Sequence, residues 1–244
     1  MSALEGRRVL VTGATAGIGK AVAVLLTAAG ARVAGLGRNL ASLHELAAQH
    51  EVVPVEADLR DQSAIEPAVS AAVQALGGLD ALVNNAGTFR LGRVSDGTPE
   101  DWRDMLEVNL LGLLSVTRSA IPHLAAGRNS QIVNISSMSG RRVTGPAGGV
   151  YAGTKHAVHA VGEALRAELF ERGIRVTTLS PGTVETNYGS YITDEAIRSE
   201  AAQDQRDFGL APEHVAQQVS YILSAPRDVY LVEIALTSAR QSFS

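Results

Sequence analysis

A tyrosine and a lysine four residues apart, Tyr151 and Lys155, could together transfer a proton. A free tyrosine has a pKa of about 10, too high for a base at neutral pH, but a cation within about 4–6 Å favours the phenolate and lowers that pKa. If both residues belong to a helix, Lys155 lies one turn after Tyr151 and could be that cation. The pair is common by chance, however, and it also fits an ordinary helix that carries both side chains on its surface.

The residues after the pair favour a position at a cleft. Apolar residues recur at steps of three and four from Val158 to Leu169, which predicts a helix with one buried face. Tyr151 lies seven residues, about two turns, before Val158. The side chains of Tyr151 and Lys155 are therefore expected to continue the buried stripe at the start of the helix.

Short runs rich in Val, Leu and Ile alternate with segments of helical periodicity along the whole chain. The predicted strands cover residues 7–13, 31–38, 51–58, 79–87, 130–138, 173–182 and 229–238. The predicted helices cover residues 17–30, 39–50, 61–77, 98–126, 151–172 and 211–225. This alternation predicts an α/β fold, a single doubly wound Rossmann-type domain over residues 1–244 whose seven-stranded parallel sheet has helices on both faces.

The composition excludes several kinds of chemistry. The chain has 244 residues, a net charge of −4 and no block of Lys or Arg, which argues against nucleic acid or an anionic membrane as a partner. It has no cysteine, so disulfides, thiolate catalysis and cysteine-ligated metals are excluded. The histidines have no metal-ligand spacing beside carboxylates, so no metal is expected. Because the sequence shows no signal peptide and no long apolar run, we expect a cytoplasmic protein.

A glycine-rich stretch, TGATAGIG (12–19), joins the first predicted strand to the first predicted helix. Gly13, Gly17 and Gly19 would let the backbone approach a pyrophosphate closely, and the helix N-terminus would offer it unpaired N–H groups. The alternative is a glycine-rich turn without a ligand. The place of the loop in the first strand–helix unit favours dinucleotide binding.

The glycine spacing G-x-x-x-G-x-G resembles the short-chain dehydrogenase/reductase family. Five further motifs of that family follow in order over essentially the full chain. They are NNAG (84–87), VN (108–109), NISS (134–137), YAGTK (151–155) and SPGTVET (180–186). The resemblance implies hydride transfer between a nicotinamide cofactor and a carbonyl or alcohol substrate.

The end of the second predicted strand bears on the choice of cofactor. An acidic residue there would bind the ribose 2′-hydroxyl of NAD and repel a 2′-phosphate. This chain has Gly37 at that position and Arg38 after it, and a guanidinium can bind a phosphate through two hydrogen bonds. We therefore predict NADP(H), with NAD(H) as the alternative if Arg38 is only a solvated loop residue.

The resemblance also assigns the remaining cofactor contacts. Asp58 matches the position that contacts the adenine amino group, and Gly182 and Thr183 match positions near the nicotinamide. The full predicted set is Gly13, Thr15, Ala16, Gly17, Ile18, Gly19, Arg38, Asp58, Leu59, Asn85, Ala86, Gly87, Tyr151, Lys155, Pro181, Gly182, Thr183, Val184 and Thr186.

By the same resemblance, four residues form the catalytic group. Tyr151 is the general acid and base, and Lys155 supports it while holding the nicotinamide ribose. Ser137 hydrogen-bonds the reacting oxygen. Asn109 takes part in a water-mediated proton relay to the lysine, although a hydrogen-bonded core asparagine would also explain it.

The spacing between the serine and the tyrosine departs from the family. Ser137 precedes Tyr151 by 14 positions, whereas 13 is commoner, so Ser136 and Ser139 compete with Ser137 for the role. Ser137 is the residue that matches the motif, and the glycine-rich loop before Tyr151 can absorb the extra residue.

Residues 184–209 show the weakest pattern in the chain, and a segment of this length and polarity is predicted to be a substrate lid. The residues expected to contact the substrate are Ser137, Met138, Gly145, Val150, Tyr188 and Tyr191.

The sequence thus predicts an NADP(H)-dependent oxidoreductase that interconverts a ketone or aldehyde and an alcohol. The alternatives are a dinucleotide-sensing protein of the same fold without turnover, or an NAD-preferring alcohol dehydrogenase. Family members usually assemble as homodimers or homotetramers, and we expect the same here. The C-terminal sequence lacks the common Val-Asp-Gly-Gly ending and resembles the branch with clavulanate-type aldehyde reductases and 3-hydroxy acid dehydrogenases.

Overall fold

Seven parallel strands form the centre of the structure, in the order β3-β2-β1-β4-β5-β6-β7. The computed structural model describes residues 3–124, 129–143, 145–186, 192 and 194–241. The strands are β1 (Arg8–Thr12), β2 (Arg32–Gly37), β3 (Val53–Glu56), β4 (Ala81–Asn84), β5 (Gln131–Ile135), β6 (Arg175–Pro181) and β7 (Glu233–Leu236). Each lies inside a predicted strand, so the predicted α/β fold with a parallel sheet is confirmed.

Eight α-helices accompany the sheet in the described part of the chain. They are α1 (Gly17–Ala28), α2 (Leu40–His50), α3 (Gln62–Leu76), α4 (Pro99–Leu106), α5 (Leu113–Ala120), α6 (Gly149–Leu169), α7 (Glu195–Phe208) and α8 (Pro212–Ser224). One apolar cluster joins α1 and α8 to the sheet, and the other joins α3, α5 and α6 to it. Val9 and Val11 belong to the first cluster and Leu10 to the second, so β1 is buried on both faces.

The chain reverses its direction of travel across the sheet between β1 and β4. The first strands proceed from β1 to β2 and β3 on one side, and the later strands continue from β4 on the other. The connections at this point leave the carboxyl ends of β1 and β4 in opposite directions, which opens a crevice between them. A ligand site is therefore expected at this edge of the sheet.

Polar side chains cap the starts of two helices. Asn39 caps α2 by accepting a hydrogen bond from Ser42 N, and Thr98 caps α4 by accepting one from Asp101 N. A proline inside a helix removes one N–H donor, but α3 runs through Pro67 without a break. The carbonyl left without an N–H donor is that of Ser63, whose exposed position lets water take its place.

The single helix predicted over residues 98–126 is wrong. The structure divides this region into α4, a π-helical turn (Glu107–Gly112), α5 and a short 3₁₀ turn (Ile121–His123). The π-helical turn contains one extra residue, and Asn109 within it is buried. Apolar periodicity does not reveal such an insertion, because the residues on either side keep a helical pattern.

Helix α7 lies in the region of weak pattern that was predicted as a lid. Asp194 caps its start by accepting hydrogen bonds from Ala196 N and Ile197 N. Ala201 is the only residue of this helix that is fully buried, so its sequence carries almost no apolar stripe. This explains why the helix is not visible in the sequence pattern.

No helix in the described part of the chain is both long enough and apolar enough to span a membrane.

A buried ion pair fixes the amino ends of the central strands, far from the carboxyl-end crevice. Arg8 donates to Asp80 Oδ2 from its backbone N (3.0 Å) and Nε (2.8 Å), and to Oδ1 from Nη2 (2.5 Å). Gln131 N also donates to the backbone carbonyl of Asp80, which ties β5 to the same point. Burial raises the pKa of Asp80, but the hydrogen bonds from Arg8 outweigh burial and hold that pKa below its ordinary value.

We expect Asp80→Asn to lower the free energy of unfolding by about 1–3 kcal/mol, because it leaves the partly buried Arg8 guanidinium without its counter-charge. The melting temperature at pH 7 should fall by about 2–12 °C. Because the folded pKa of Asp80 lies below its unfolded value of 3.8, the difference from wild type should persist above pH 4 and shrink as the pH falls further. Thermal unfolding followed by circular dichroism measures this, and equal melting temperatures at pH 7 would contradict it.

Candidate active site

A cleft of about 750 Å³ lies at the carboxyl ends of the central strands. Gly13 after β1, Asn85 after β4, Ser137 after β5 and Gly182 after β6 all line it. Its volume falls within the range of small-molecule and cofactor sites. Other predicted cofactor residues on its walls are Thr15, Ala16, Gly17, Ile18, Arg38, Asp58, Leu59, Ala86, Gly87, Tyr151, Lys155, Pro181, Thr183, Val184 and Thr186.

The glycine loop brings backbone against backbone at the floor of the cleft. Gly13 and Gly17 have φ angles of +67° and +51°, which strongly favour glycine. A Cβ at Gly13 would lie 2.8 Å from the Cα of Ala86, and one at Gly17 would lie 2.9 Å from Thr186 Cγ2. Gly19 does not line the cleft; a Cβ there would meet the Gly13 carbonyl oxygen at 2.2 Å, so this glycine allows the loop to pack on α1.

The first turn of α1 faces the cleft without a side-chain cap. The residue at its N-cap position is Ala16, and within the described residues no side chain accepts from the first N–H groups. Uncapped N–H groups and the positive end of the helix dipole together favour an anion. This end of the cleft can therefore hold a phosphate group.

Thr12 joins the ends of β1 and β4. Its Oγ1 accepts hydrogen bonds from the backbone N of Asn85 and of Ala86, both at 3.0 Å. The Asn85 side chain donates in return to Thr12 O (2.9 Å). The loop after β4 is thereby held directly over the glycine loop.

The end of β2 presents a cation beside a carboxylate. The Arg38 side chain is half exposed, and its Nη1 lies 3.9 Å from Asp58 Oδ2. A Cβ at Gly37 would lie 2.8 Å from Thr15 Cγ2, so an acidic side chain at this position would have to displace Thr15. The geometry leaves the Arg38 guanidinium free to turn toward a ligand in the cleft.

Asp58 already has a strong partner, Arg60, which sequence reasoning missed. Arg60 donates to it from the backbone N (3.0 Å), Nε (3.0 Å) and Nη2 (2.5 Å). These hydrogen bonds hold the pKa of Asp58 below its ordinary value, so it is a carboxylate at neutral pH. Arg60 also donates to Asp104 Oδ1 at 3.3 Å, and Asp104 in turn accepts from Arg90 Nη2 at 3.0 Å. This chain of alternating charges connects the Asp58 end of the cleft to the loop after β4.

Tyr151 lies in the first turn of α6, half-buried on the cleft wall. The Phe89 ring meets the Tyr151 ring edge to face, with centroids 4.4 Å apart and planes at 87°. Lys155 Nζ lies 5.9 Å from the centroid of the Tyr151 ring. The predicted placement of both side chains on the inner face of the helix is what the structure has. Phe89 was missed, because a single aromatic residue in a loop gives no sequence signal.

Lys155 is buried, with 5% of its surface exposed. Its Nζ donates a hydrogen bond of 3.0 Å to Ile135 O at the end of β5. Burial lowers the pKa of Lys155 to about 8. The side chain is therefore still mostly an ammonium at pH 7, although the fold holds it there at a cost in stability.

Asn109 is also buried, and its side chain links three parts of the site. Its Oδ1 accepts from Thr88 N (2.7 Å), and its Nδ2 donates to Thr88 O (2.9 Å) and to Thr154 Oγ1 (3.2 Å). A Cβ at Gly87 would lie 3.3 Å from Asn109 Oδ1 and 3.7 Å from Lys155 Nζ, so these two polar groups border the same small space.

The three competing serines have different surroundings. Ser136 is buried, and its Oγ donates to Lys155 O (3.1 Å), so it joins β5 to α6. Ser137 and Ser139 are half-buried and line the cleft, and Ser137 Oγ accepts from Ser139 N (3.0 Å). Within the described residues the Ser137 hydroxyl donates to no other group, so its proton can serve a ligand, which favours the predicted residue over Ser136.

The residues predicted at the substrate are found in different places. Met138 and Gly145 line the cleft, whereas Val150 is half-buried at the start of α6 and does not line it. Tyr188 and Tyr191 lie outside the described residues. From α7, the side facing the cleft carries Ile197, Glu200, Ala201 and Asp204. Burial, together with the nearby Glu200 and Asp207, raises the pKa of Asp204.

Gln241 is a further cleft residue that the sequence did not suggest. Its Oε1 accepts from Thr183 N (3.3 Å) and Thr237 Oγ1 (2.6 Å), and its Nε2 donates to Thr183 Oγ1 (3.2 Å). The C-terminal segment thus holds the loop after β6 in place.

Among the described residues, no group of three or more His, Asp or Glu side chains could hold a metal ion.

Comparison with known proteins agrees with this geometry. Residues 7–196 match the family model described as short chain dehydrogenase. The chain is 36% identical over 253 residues to dehydrogenase/reductase SDR family member 11 of Bos taurus, covering 99% of each chain. It superimposes on the closed form of serine dehydrogenase complexed with NADP+ with a TM-score of 0.89 and 29% identity, covering 97% of this chain and 96% of the other. A short chain dehydrogenase from Burkholderia cenocepacia in complex with NADP gives a TM-score of 0.83 and 31% identity, covering 96% and 97%. The chain therefore belongs to the short-chain dehydrogenase/reductase family and is an oxidoreductase of that family.

Proposed function

We propose that this protein is an NADP(H)-dependent enzyme that interconverts a ketone or aldehyde and an alcohol, with Tyr151 as general acid and base. The observation that carries the proposal is the placement of Tyr151 and a buried Lys155 on one wall of the cleft, which the Ser137 side chain also lines. A proton donor, a cation that favours its anion and a second hydrogen-bond donor are what reduction of a carbonyl requires.

The cleft fits a nicotinamide dinucleotide. Gly13 and Gly17 keep its floor free of side chains, and the uncapped start of α1 offers N–H groups to a pyrophosphate. The Burkholderia cenocepacia structure and the serine dehydrogenase structure are complexes with NADP and NADP+. When bound, the nicotinamide supplies or accepts the hydride.

Arg38 supports NADP(H) over NAD(H). Its guanidinium is half exposed at the end of β2, and its one ion pair within the described residues is a long contact with Asp58, so it can turn to a 2′-phosphate. Gly37 leaves no carboxylate there to repel such a phosphate. Asp58, held as a carboxylate by Arg60, remains able to accept from the adenine amino group.

In the direction of reduction, Tyr151 donates its hydroxyl proton to the carbonyl oxygen, and Ser137 donates a hydrogen bond to the same oxygen. Lys155 stays charged near neutral pH and favours the phenolate that Tyr151 becomes. In the reverse direction, the phenolate removes the proton from the alcohol. Asn109 and Lys155 border one small space beside Gly87, and we propose that water there returns a proton to the site.

Helix α7 is proposed as the lid of a single-domain enzyme. Its apolar residues Ile197 and Ala201 line the cleft. Leu106, Leu111 and Leu114 are exposed on the outer side of α4, the π-helical turn and α5, and we propose that this face forms the interface of a homodimer or homotetramer.

We expect Tyr151→Phe to lower kcat by about 10²–10⁴-fold, because the variant has no proton to donate. NADPH binding should change little, since the ring itself is retained. Steady-state NADPH oxidation over a panel of aldehydes, ketones and hydroxy acids measures kcat, and fluorescence titration measures binding. Turnover equal to that of wild type would sink the mechanism.

Arg38→Leu should raise the KM for NADPH by about 10–100-fold, because it removes a charge-assisted hydrogen bond to the 2′-phosphate. The KM for NADH should stay within about twofold of the wild-type value, because NADH has no 2′-phosphate. Steady-state kinetics gives the KM of wild type and of Arg38→Leu for both cofactors, and the NADH values are the control. If wild type uses NADH as well as NADPH, the argument from Arg38 is wrong.

Lys155→Met should abolish most turnover but stabilise the fold at pH 7 by about 1–2 kcal/mol, since it removes a buried charge at the loss of one hydrogen bond. The melting temperature should rise by about 2–8 °C. The unfolded pKa of Lys155, 10.5, exceeds its folded value of about 8, so wild type gains stability as the pH rises from 8 to 10.5. The difference in melting temperature between Lys155→Met and wild type should therefore shrink over this range.

Lys20→Met is the matched control for this measurement, because it makes the same change on α1 outside the cleft. It should move the melting temperature by no more than about 2 °C at any pH. A lower melting temperature of Lys155→Met than of wild type at pH 7 would show that the buried ammonium is stabilising and would contradict the prediction.

A further inference from the structure

A histidine outside the predicted catalytic group lies behind the cleft lining and contacts three neighbouring elements, β6, β7 and the 3₁₀ turn Met138–Gly140. His159 is on α6, four residues after Lys155, and therefore on the same face one turn further along. Its Nε2 lies 3.1 Å from Ser180 Oγ, and its Nδ1 lies 3.3 Å from Glu233 Oε1. The ring thus connects α6 to both β6 and β7.

Ser180, His159 and Glu233 contact one another in the serine–histidine–carboxylate arrangement of a hydrolase triad, but they cannot act as a triad. Ser180 has 0% of its surface exposed, so no substrate can reach its hydroxyl. Its position in the fold suggests another use. Ser180 immediately precedes Pro181, Gly182 and Thr183, which line the cleft, so a bond to its side chain holds the start of that loop.

Glu233 extends the connection to the loop that carries Ser137. Its Oε1 also accepts from Arg141 Nη1 at 2.6 Å. Arg141 directly follows the 3₁₀ turn Met138–Gly140 and donates its backbone N–H to Met138 O at 3.0 Å. The carboxylate therefore joins the histidine on α6 to the turn that comes after Ser137.

The same turn packs tightly on α6 beside His159. A Cβ at Gly140 would lie 2.7 Å from Lys155 O and 2.9 Å from His159 Cδ2. No residue larger than glycine fits there without movement of the turn or the helix. The placement of the turn and of the His159 ring is thus coupled by direct contact as well as by Glu233.

We propose that His159, together with Glu233, is a positioning residue that fixes the Ser137 turn, the Tyr151–Lys155 helix and the Pro181–Thr183 loop relative to one another. This inference rests on the proposed function, because it assigns the pair a role in aligning the reacting groups. Burial lowers the pKa of His159 although Glu233 opposes this, and Arg141, His156 and Arg166 act in the same direction as burial. In the neutral ring, a proton on Nδ1 faces Glu233 and Nε2 accepts from the Ser180 hydroxyl.

The expected effect is on the chemical step. Reacting groups must be held to within a fraction of an ångström, and a displacement of about 1 Å can cost about 100-fold in rate. We expect His159→Leu to lower kcat by about 10–100-fold. The dissociation constant for NADPH should change less than about threefold, because neither His159 nor Glu233 lines the cleft that the glycine loop and Arg38 border.

The matched control is His156→Leu. His156 is exposed on the same helix, and its ring contacts Ala152 O of its own helical turn. It makes the same chemical change one residue from Lys155, and its kcat should remain within about twofold of wild type.

Conservative variants separate positioning from simple stability. His159→Gln keeps one polar group that can bond Ser180 or Glu233, so it should recover part of the kcat lost in His159→Leu. Glu233→Gln weakens the same connection at a partly exposed position, because it replaces the carboxylate that His159 and Arg141 share with a neutral amide. It provides the second test if His159→Leu does not fold. Combining Glu233→Gln with His159→Leu should lower kcat no further than His159→Leu alone, because both variants break the same connection.

The outcomes are distinct. If wild type shows no turnover on the carbonyl panel, the proposed function fails and this inference fails with it. If wild type turns over and His159→Leu lowers only the melting temperature while kcat stays within twofold of wild type, the positioning role alone is overturned. Independent, multiplicative losses in the double variant would likewise overturn the pairing of His159 with Glu233.

Discussion

The site depends on the contact between the ends of β1 and β4. Thr12 Oγ1 accepts from two successive backbone N–H groups after β4, and Gly13 packs against the Cα of Ala86 at a distance that excludes any side chain. This contact keeps the loop after β1 and the loop after β4 at a fixed separation, although the two diverge where the strand order reverses. The floor of the cleft, the start of α1 and the approach to Asn109 all follow from it.

Helix α6 forms the cleft wall that carries Tyr151 and Lys155, and it buries the charged side chain of Lys155. Lys155 is an ammonium in surroundings that lower its pKa, and its compensation within the described residues is a single carbonyl hydrogen bond. Such an arrangement lowers the stability of the unliganded fold. It is understandable in an enzyme, because the same desolvation strengthens the effect of the charge on the neighbouring tyrosine.

The polar contacts around α6 explain how this wall is kept in place. Asn109 reaches it through Thr154, Ser136 through the Lys155 carbonyl, and His159 through Ser180 and Glu233. Each contact joins the helix to a different strand or loop of the cleft. The helix is thus located by hydrogen bonds at several points along its buried face, in addition to its apolar packing against the sheet.

The sequence alone was sufficient for the α/β fold and the parallel sheet, because alternating buried strands and helices leave a strong periodic pattern. Most of the cofactor positions that the family resemblance implied also line the cleft. The sequence was not sufficient for the π-helical turn around Asn109, for α7, or for the partners Phe89, Arg60, Gln241 and His159. These features depend on which distant segments meet at the carboxyl edge of the sheet. A polar helix with one buried alanine, or an arginine that pairs with a carboxylate 44 positions away, has no local signature. Only tertiary packing decides such contacts, because their energy comes from groups that are far apart along the chain.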